Sequence, residues 1–224
     1  VGTIIASFQA SAVSYLYYAD RIYQINLAIA GIAIGTVILP NLSRHIKNSN
    51  KKKIDFIQNK AFELSLFLSL PAAMALVVGA EEITSALFGY GAFDKTSVIN
   101  SANALYYFAL GLPAFAIIKV FSTFLFARND TKTPFYYSLI SVLINISISI
   151  IFFDTIGFLI IPIATSISSW INVLLLFLKL FNNNHFSLNN IFNLFNLKIL
   201  LVSSISIYLF YIAINFFGQY LIYE

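Results

Sequence analysis

The sequence predicts an all-α polytopic membrane protein, with about six complete transmembrane helices and one truncated helix ahead of them. Of the 224 residues, 59% are hydrophobic and only 10% are charged, and the mean hydropathy is +0.85. A soluble domain carries about 25% charged residues, so this composition excludes a soluble globular domain, a disordered chain and a nucleic-acid-binding module. The apolar runs do not alternate with polar residues as membrane β-strands do, which leaves helices as the spanning form.

Residue types that carry metal and redox chemistry are scarce in this sequence. It contains no Cys, and its two His residues, His45 and His185, lie far apart in polar stretches. We therefore predict no disulfide, no metal site and no cofactor. The sequence also shows no nucleophile–base constellation and no Gly-rich phosphate loop, so we do not expect an enzyme.

The apolar segments can be placed in order along the chain. Residues 1–12 are too few to span a bilayer and lack the basic start of a signal peptide, so we interpret them as the end of a helix that begins upstream. Six spanning segments follow, at residues 14–42, 61–80, 98–127, 134–153, 157–178 and 199–217. Thr133 is predicted as the N-cap of the fourth span, with Pro134 as its first residue.

The connections between these spans alternate in charge. The first, third and fifth connections hold ten of the Lys and Arg residues. The second and fourth hold one base, Lys95, beside the acidic residues Glu81, Glu82, Asp94 and Asp154. Because basic connections stay in the cytoplasm, we predict that the odd-numbered connections are cytoplasmic, including the Asn-rich segment 180–198.

Two bases, Arg21 and Lys119, fall inside predicted spans instead of connections. Their spans, residues 14–42 and 98–127, contain about 30 residues each, more than a hydrocarbon core of ~30 Å requires at 1.5 Å per residue. These two helices must therefore tilt, protrude or border an aqueous cavity.

A polar helix face surrounds Arg21. At helical spacing one face contains Tyr17, Arg21, Gln24, Ala28, Gly31 and Gly35. An Arg near the membrane centre costs about 2.5–3.5 kcal/mol, so it should face water or a partner. One interpretation is that Arg21 binds a phosphate in a central cavity, with Gln24 adding a hydrogen bond and Asp20 orienting the base. The other is that Arg21 pairs with Asp20 or another carboxylate, or extends to the outer interface.

Other polar residues in the spans have two interpretations each. Lys119 either contacts the same ligand or extends its ammonium group to the cytoplasmic interface. Oxygens of Asn145, Ser149 and Thr165 could ligate Na⁺, but no carboxylate accompanies them. Hydrogen bonding between helices is therefore the better account of these three residues.

Several blocks of the sequence are similar to those of one known family. The longest is SYLYYADRIYQ at residues 14–24, followed by GIAIGTVILP at 31–40, LPAA at 70–73, LFGYGAF at 87–93 and DTKTP at 130–134. These blocks resemble the MurJ/MviN lipid II flippases of bacterial cell-wall synthesis, over about residues 1–169. The resemblance implies a partial helical bundle of the MOP exporter superfamily, whose members have fourteen helices in two lobes. Residues 1–179 would then be second-lobe helices 7–12, and residues 199–224 would be an additional, truncated helix.

The resemblance also implies a function in the bacterial cytoplasmic (inner) membrane. The family moves lipid II, an undecaprenyl-diphosphate-linked disaccharide-pentapeptide, from the inner to the outer leaflet by alternating access. In that family the Arg of the ADR block, here Arg21, lines the central cavity. We add Asp20, Gln24 and Lys119 as candidate substrate-binding residues. The implied partners are lipid II and the phospholipid bilayer, with cell-wall synthesis or division proteins as further candidates and no nucleic acid.

Three other functions are open at this point. Another exporter of the superfamily, such as a polysaccharide-repeat flippase or a cation-coupled drug exporter, would share the fold but lack the block at residues 14–40. A membrane glycosyltransferase would need paired carboxylates or a metal motif at a membrane face. A non-transporting scaffold would have no reason to keep Arg21 within a long span.

Overall fold

A computed structural model describes residues 2–187 and 194–217, and none of these residues lies in a strand. The elements are α1 (Gly2–Ala6), α2 (Ala12–Lys47), α3 (Lys51–Val78), α4 (Ala80–Phe88), α5 (Lys95–Phe126), α6 (Lys132–Ile156), a 3₁₀ turn (Gly157–Leu159), α7 (Ile160–Asn182) and α8 (Leu194–Phe217). The six predicted spans fall on α2, α3, α5, α6, α7 and α8. The predicted all-α class is confirmed.

Four helical segments within the described residues are long and apolar enough to cross a bilayer. They are Lys51–Val78, Lys95–Phe126, Lys132–Asn182 and Leu194–Phe216. The third contains α6, the 3₁₀ turn and α7, so these segments account for five of the six predicted spans. The remaining predicted span lies on α2, which has 36 residues and contains Pro40.

Helix ends differ from those that hydropathy indicated. α2 continues to Lys47 and α3 begins at Lys51, so most of the expected connection 43–60 is helical. Asn50 caps α3 by accepting a hydrogen bond from the backbone N–H of Lys53 at 3.2 Å. The expected outer connection likewise contains a helix, α4. Hydropathy marks where a helix leaves the membrane, whereas internal hydrogen bonds let the helix continue into water.

The N-cap prediction for the fourth span was wrong. α6 begins at Lys132, ahead of Thr133. The carboxylate of Asp130 caps this end, because it accepts hydrogen bonds from the Thr133 backbone N–H at 3.0 Å and from the Thr133 hydroxyl at 2.7 Å. Pro134 still fits within the first turn, where a helix needs no N–H donor.

The apolar core is divided into two layers along the helix axes. The outer layer joins the first halves of α2 and α5 to the second half of α3 and the start of α7, and includes Leu16, Ile22, Leu76, Leu105, Leu112 and Ile160. The inner layer joins the opposite halves, and includes Leu42, Phe62, Phe121, Phe124, Leu176 and Leu180. Therefore α2, α5 and α7 run in one direction and α3 runs in the other, as the charge alternation predicts.

Hydrogen bonds show that α6 and α7 are antiparallel neighbours. The Ser141 hydroxyl donates to the Ser168 carbonyl at 3.0 Å, and the Asn145 amide donates to the Thr165 hydroxyl at 3.1 Å. Residue numbers of the partners on α7 thus decrease as those on α6 increase. The acidic connections, at residues 89–94 and near Asp154, consequently lie at one end of the bundle, which we call the outer end.

Contact between α5 and α7 is close because one residue lacks a side chain. The Ser166 hydroxyl donates to the Tyr107 carbonyl at 2.5 Å, and the Trp170 indole donates to the Leu110 carbonyl at 3.1 Å. A Cβ added to Gly111 would lie 2.7 Å from the hydroxyl oxygen of Ser166 and 3.1 Å from its Cα. The two parallel helices therefore need glycine at this position.

The described part of the Asn-rich segment folds back onto the inner layer. Phe186 is 4% exposed, and its ring centroid lies 5.7, 5.4 and 5.8 Å from those of Phe62, Phe121 and Phe124. Since α7 extends to Asn182 and α8 begins at Leu194, the connection is shorter than residues 180–198. This aromatic contact closes the inner end of the bundle around α3, α5 and α7.

We expect Gly111→Val to destabilise the bundle, since the added side chain meets the backbone of α7. Overpacking of this kind costs about 1–3 kcal/mol, which should lower the midpoint of thermal unfolding in detergent. Asn103→Val is the matched control, because it introduces the same β-branched side chain at an exposed position of the same helix. Equal unfolding midpoints for the two variants would contradict the close α5–α7 contact.

Candidate substrate-binding site

Arg21 lies in the outer half of α2, on the face that points away from the core. Ala19, Ile22 and Tyr23 are buried in the outer layer, whereas Arg21 and Gln24 are exposed. The apolar side of α2 is thus used for packing, and its polar side is left open. Gly31 and Gly35, the small part of the predicted face, lie in a stretch whose side chains are outside the described part of the structure.

The guanidinium group of Arg21 contacts Tyr17, one turn earlier on α2. Its Nη2 atom donates to the Tyr17 hydroxyl at 2.8 Å, and its central carbon lies 4.7 Å from the centre of the Tyr17 ring. Tyr17 belongs to the predicted face, but its role as the partner of Arg21 was not predicted. The i, i+4 spacing of the two residues could have indicated it.

Asp20 does not form an ion pair with Arg21. Its carboxylate instead accepts a hydrogen bond from the side-chain amide of Gln24. Among residues 2–187 and 194–217, the structure has one ion pair, between Lys60 and Glu63 at 2.6 Å. The predicted alternative in which Asp20 neutralises Arg21 is therefore not observed, and Gln24 and Asp20 form a second polar pair beside Arg21.

Lys119 occupies a different part of the bundle. It is exposed on α5, about 10 Å from the inner end of that helix at 1.5 Å per residue. It lines a cleft of about 610 Å³ between α2, α5 and α6, together with Leu39, Ser122 and Phe135. Arg21 lies beside the outer layer instead, so the structure does not bring the two cations to one point.

The oxygens considered for Na⁺ are used between helices. Asn145 donates to Thr165, and the Thr165 hydroxyl donates to the Ile161 carbonyl at 2.8 Å. Ser149 is 1% exposed, and its hydroxyl has no hydrogen-bond partner in the described part of the structure. The bonds of Asn145 and Thr165 agree with the helix–helix interpretation. The described residues also contain no group of three or more His, Asp or Glu side chains that could hold a metal ion.

The inner end of the bundle is electropositive. Burial lowers the pKa of His185, and the charges of Arg128 and Lys179 lower it further, so the neutral imidazole is favoured. Burial would raise the pKa of Asp130, but hydrogen bonds from Thr133 and the charge of Lys179 outweigh it and hold that pKa below its usual value. Arg and Lys therefore carry the positive charge at this end.

Comparison with known proteins agrees with this arrangement of helices. The sequence model of the family described as lipid II flippase MurJ matches residues 1–223. The chain belongs to the lipid II flippase MurJ family. The match continues well past residue 169, where the resemblance noted from the sequence ends. Most large apolar side chains of α8 are exposed in this structure.

Individual MurJ proteins show the same relationship. A probable lipid II flippase MurJ of Rhizobium meliloti is 43% identical over 185 residues, which cover 83% of this chain and 35% of that protein. One of Rickettsia prowazekii is 34% identical over 97% of this chain and 43% of its own length. A solved structure of lipid II flippase MurJ in an inward closed conformation matches with a TM-score of 0.74 at 26% identity, over 96% of this chain and 49% of that chain. The chain thus spans less than half the length of these relatives.

Cysteine labelling can test whether the face around Arg21 is in contact with water. The chain contains no Cys, so single substitutions can be read directly in a full-length protein without other cysteines. We expect Gln24→Cys to react with a membrane-impermeant maleimide and Ile22→Cys, which is buried, to be protected, because the reactive thiolate forms in water. Equal protection of both would show that the polar face of α2 is covered by lipid or protein.

Proposed function

We propose that the full-length protein containing this chain is a lipid II flippase. It moves the undecaprenyl-diphosphate-linked muropeptide from the inner to the outer leaflet by alternating access, and so serves cell-wall biosynthesis. The observation that supports this most directly is Arg21, a cation within a predicted membrane span that is exposed and not ion-paired among the described residues. Membership of the MurJ family connects this cation to a diphosphate-bearing lipid.

Arg21 is suited to bind a phosphate. Guanidinium has five N–H donors in a planar fork, and the bond to Tyr17 uses one of them. The others can donate to two phosphate oxygens at once, which a Lys ammonium group cannot match in geometry. Tyr17 holds the fork in position through its hydroxyl and ring, while Gln24 and Asp20 provide a neighbouring donor and acceptor for the head group.

The positions of the two cations suggest an order of contacts during transport. Lys119 lines the inner cleft and would meet the diphosphate as the substrate enters from the cytoplasmic side. Arg21 lies in the outer half and would hold the diphosphate once the cavity opens outward. Exposed apolar side chains on α6 and α8 can face acyl chains, so the polyprenyl tail can stay in lipid while the lobes rock.

The proposed location is the bacterial cytoplasmic (inner) membrane, with α2 to α8 surrounded by phospholipid. Cell-wall synthesis or division proteins are proposed as functional partners, because they consume the translocated precursor. Another exporter of the superfamily is not favoured, since the family model and the relatives described above are all lipid II flippases. An enzymatic activity is not favoured either, since flippases are transporters.

We expect Arg21→Ala in the full-length protein to abolish growth when it is the sole copy, while the protein still accumulates in the membrane. Charge-assisted hydrogen bonds contribute about 1.5–3 kcal/mol, and every 1.4 kcal/mol is tenfold. Lipid II should therefore reach the outer leaflet roughly tenfold to a hundredfold more slowly, as measured by its accessibility to an external reagent. Arg21→Lys should transport lipid II at an intermediate rate, since lysine keeps the positive charge but lacks the planar N–H donors that bind two phosphate oxygens at once.

The matched control for this experiment is Lys95→Ala, which removes an exposed base at the outer start of α5. Its transport rate should equal that of the wild type. Normal growth with Arg21→Ala alone would contradict the proposed role of Arg21. A fully active Arg21→Lys variant would show that charge suffices without bidentate geometry.

Lys119→Met tests the inner contact separately. The substitution nearly keeps the length of the side chain and removes its charge, so we expect the half-saturating concentration of lipid II to rise severalfold. Lys119→Arg should keep the half-saturating concentration at its wild-type value, because Lys119 is exposed and the cleft has room for the longer Arg side chain. Lys52→Met, which changes an exposed base at the start of α3, serves as the control. An unchanged half-saturating concentration for Lys119→Met would contradict a substrate contact.

A further inference from the structure

A second cleft lies at the outer end of the bundle, near the start of α2. Its volume is about 580 Å³, and it is lined by Ser11, Ser14, Tyr15, Tyr18, Phe88, Tyr90, Ala92, Phe93 and Ser97. None of these lining residues is charged. The cleft contains most of the LFGYGAF block at residues 87–93, a motif that the proposed role of Arg21 does not use.

Two glycines shape the wall of this cleft. A Cβ added to Gly89 would lie 2.6 Å from the Ser85 carbonyl oxygen, so the chain can turn sharply there only without a side chain. Gly91 has a φ of +67°, in the left-handed region that favours glycine. Between them Tyr90 is 69% exposed, so the turn presents this ring to the cleft.

The opposite side of the cleft is aromatic and rigid. The Tyr18 ring centroid lies 4.8 Å from those of both Phe88 and Phe93. These contacts fix one aromatic surface on α2, while Tyr90 provides another from the connection. Ser11 and Ser14 are exposed beside these rings, so their hydroxyls are able to donate to a ligand and to accept from it.

Uncharged aromatic surfaces combined with exposed hydroxyls suit a carbohydrate. A pyranose ring has an apolar face of C–H groups that packs on an aromatic ring, and its hydroxyls exchange hydrogen bonds with serine and tyrosine. The volume also falls within the range of about 300–1,000 Å³ that small-molecule sites occupy. An anionic or cationic ligand would find no opposite charge among the lining side chains.

We propose that this cleft is a subsite for the disaccharide of the substrate on the outer side. The inference rests on the proposed function and names the part of the head group that binds here. Ser14 and Arg21 are seven residues apart on α2, two turns and about 10 Å along one face. A diphosphate held by Arg21 would therefore place the attached sugars beside the cleft.

The test uses the purified full-length protein in lipid nanodiscs and three separate soluble probes. They are the N-acetylglucosamine–N-acetylmuramic acid disaccharide, inorganic diphosphate and the free pentapeptide. Binding is measured by saturation-transfer NMR in the wild type, Tyr90→Ala, Tyr18→Leu, Arg21→Ala and the control Tyr106→Ala. Tyr106 is an exposed tyrosine of α5 outside the cleft.

We expect Tyr90→Ala to weaken disaccharide binding about fivefold, as the loss of one aromatic contact predicts, and to leave diphosphate binding unchanged. Arg21→Ala should weaken diphosphate binding and leave disaccharide binding unchanged. Tyr106→Ala should change the binding of neither probe. Tyr18→Leu provides a second test from the other wall of the cleft.

The subsite is overturned if the wild type binds no disaccharide, if it binds only the pentapeptide, or if both cleft variants bind disaccharide as the wild type does. Failure of the flippase proposal would look different, because Arg21→Ala would then support growth whatever the disaccharide measurements show.

Discussion

A guanidinium group within a predicted membrane span must be solvated by something other than acyl chains. Arg21 is held by the ring and hydroxyl of Tyr17, and the nearest carboxylate on its helix, that of Asp20, is bound by Gln24. Water or an anionic ligand has to supply the remaining interactions, because an unsolvated Arg costs several kcal/mol in lipid. The polar face of α2 therefore needs an aqueous space beside it, and the other helices have to pack on the opposite face.

The packing of the bundle meets this requirement. α3 and α5 cover the apolar side of α2 in two layers, and the close α5–α7 contact at Gly111 extends the same rigid unit. Phe186 closes the inner end with clustered aromatic side chains. A lobe built in this way can move as one body, as the proposed alternating access requires. Arg21 and Lys119 then lie in opposite halves of the bundle, and the outer aromatic cleft continues the face of Arg21 toward the outer end.

Much of the site could be predicted from sequence because its members lie on one helix. Tyr17, Arg21 and Gln24 share a face through the period of 3.6 residues, and that relation does not depend on tertiary contacts. The pairing of Asp20 with Gln24 instead of Arg21 follows the same rule, since side chains at i and i+4 face each other on a helix and those at i and i+1 do not. The outer cleft could not be predicted, because it joins the start of α2 to a turn more than seventy residues later in the chain.

By itself the sequence determined the helical class and the alternation of helix direction, and it predicted where the spans and the two bases within them lie. These follow from the transfer cost of charged and polar groups into lipid, which depends on local composition. Only the tertiary structure decided that Ser149 lacks a hydrogen-bond partner among the described residues, and that Lys119 and Arg21 lie in separate parts of the bundle. Those features depend on which surfaces meet, and lateral packing of helices leaves no periodic signal in the sequence of any one of them.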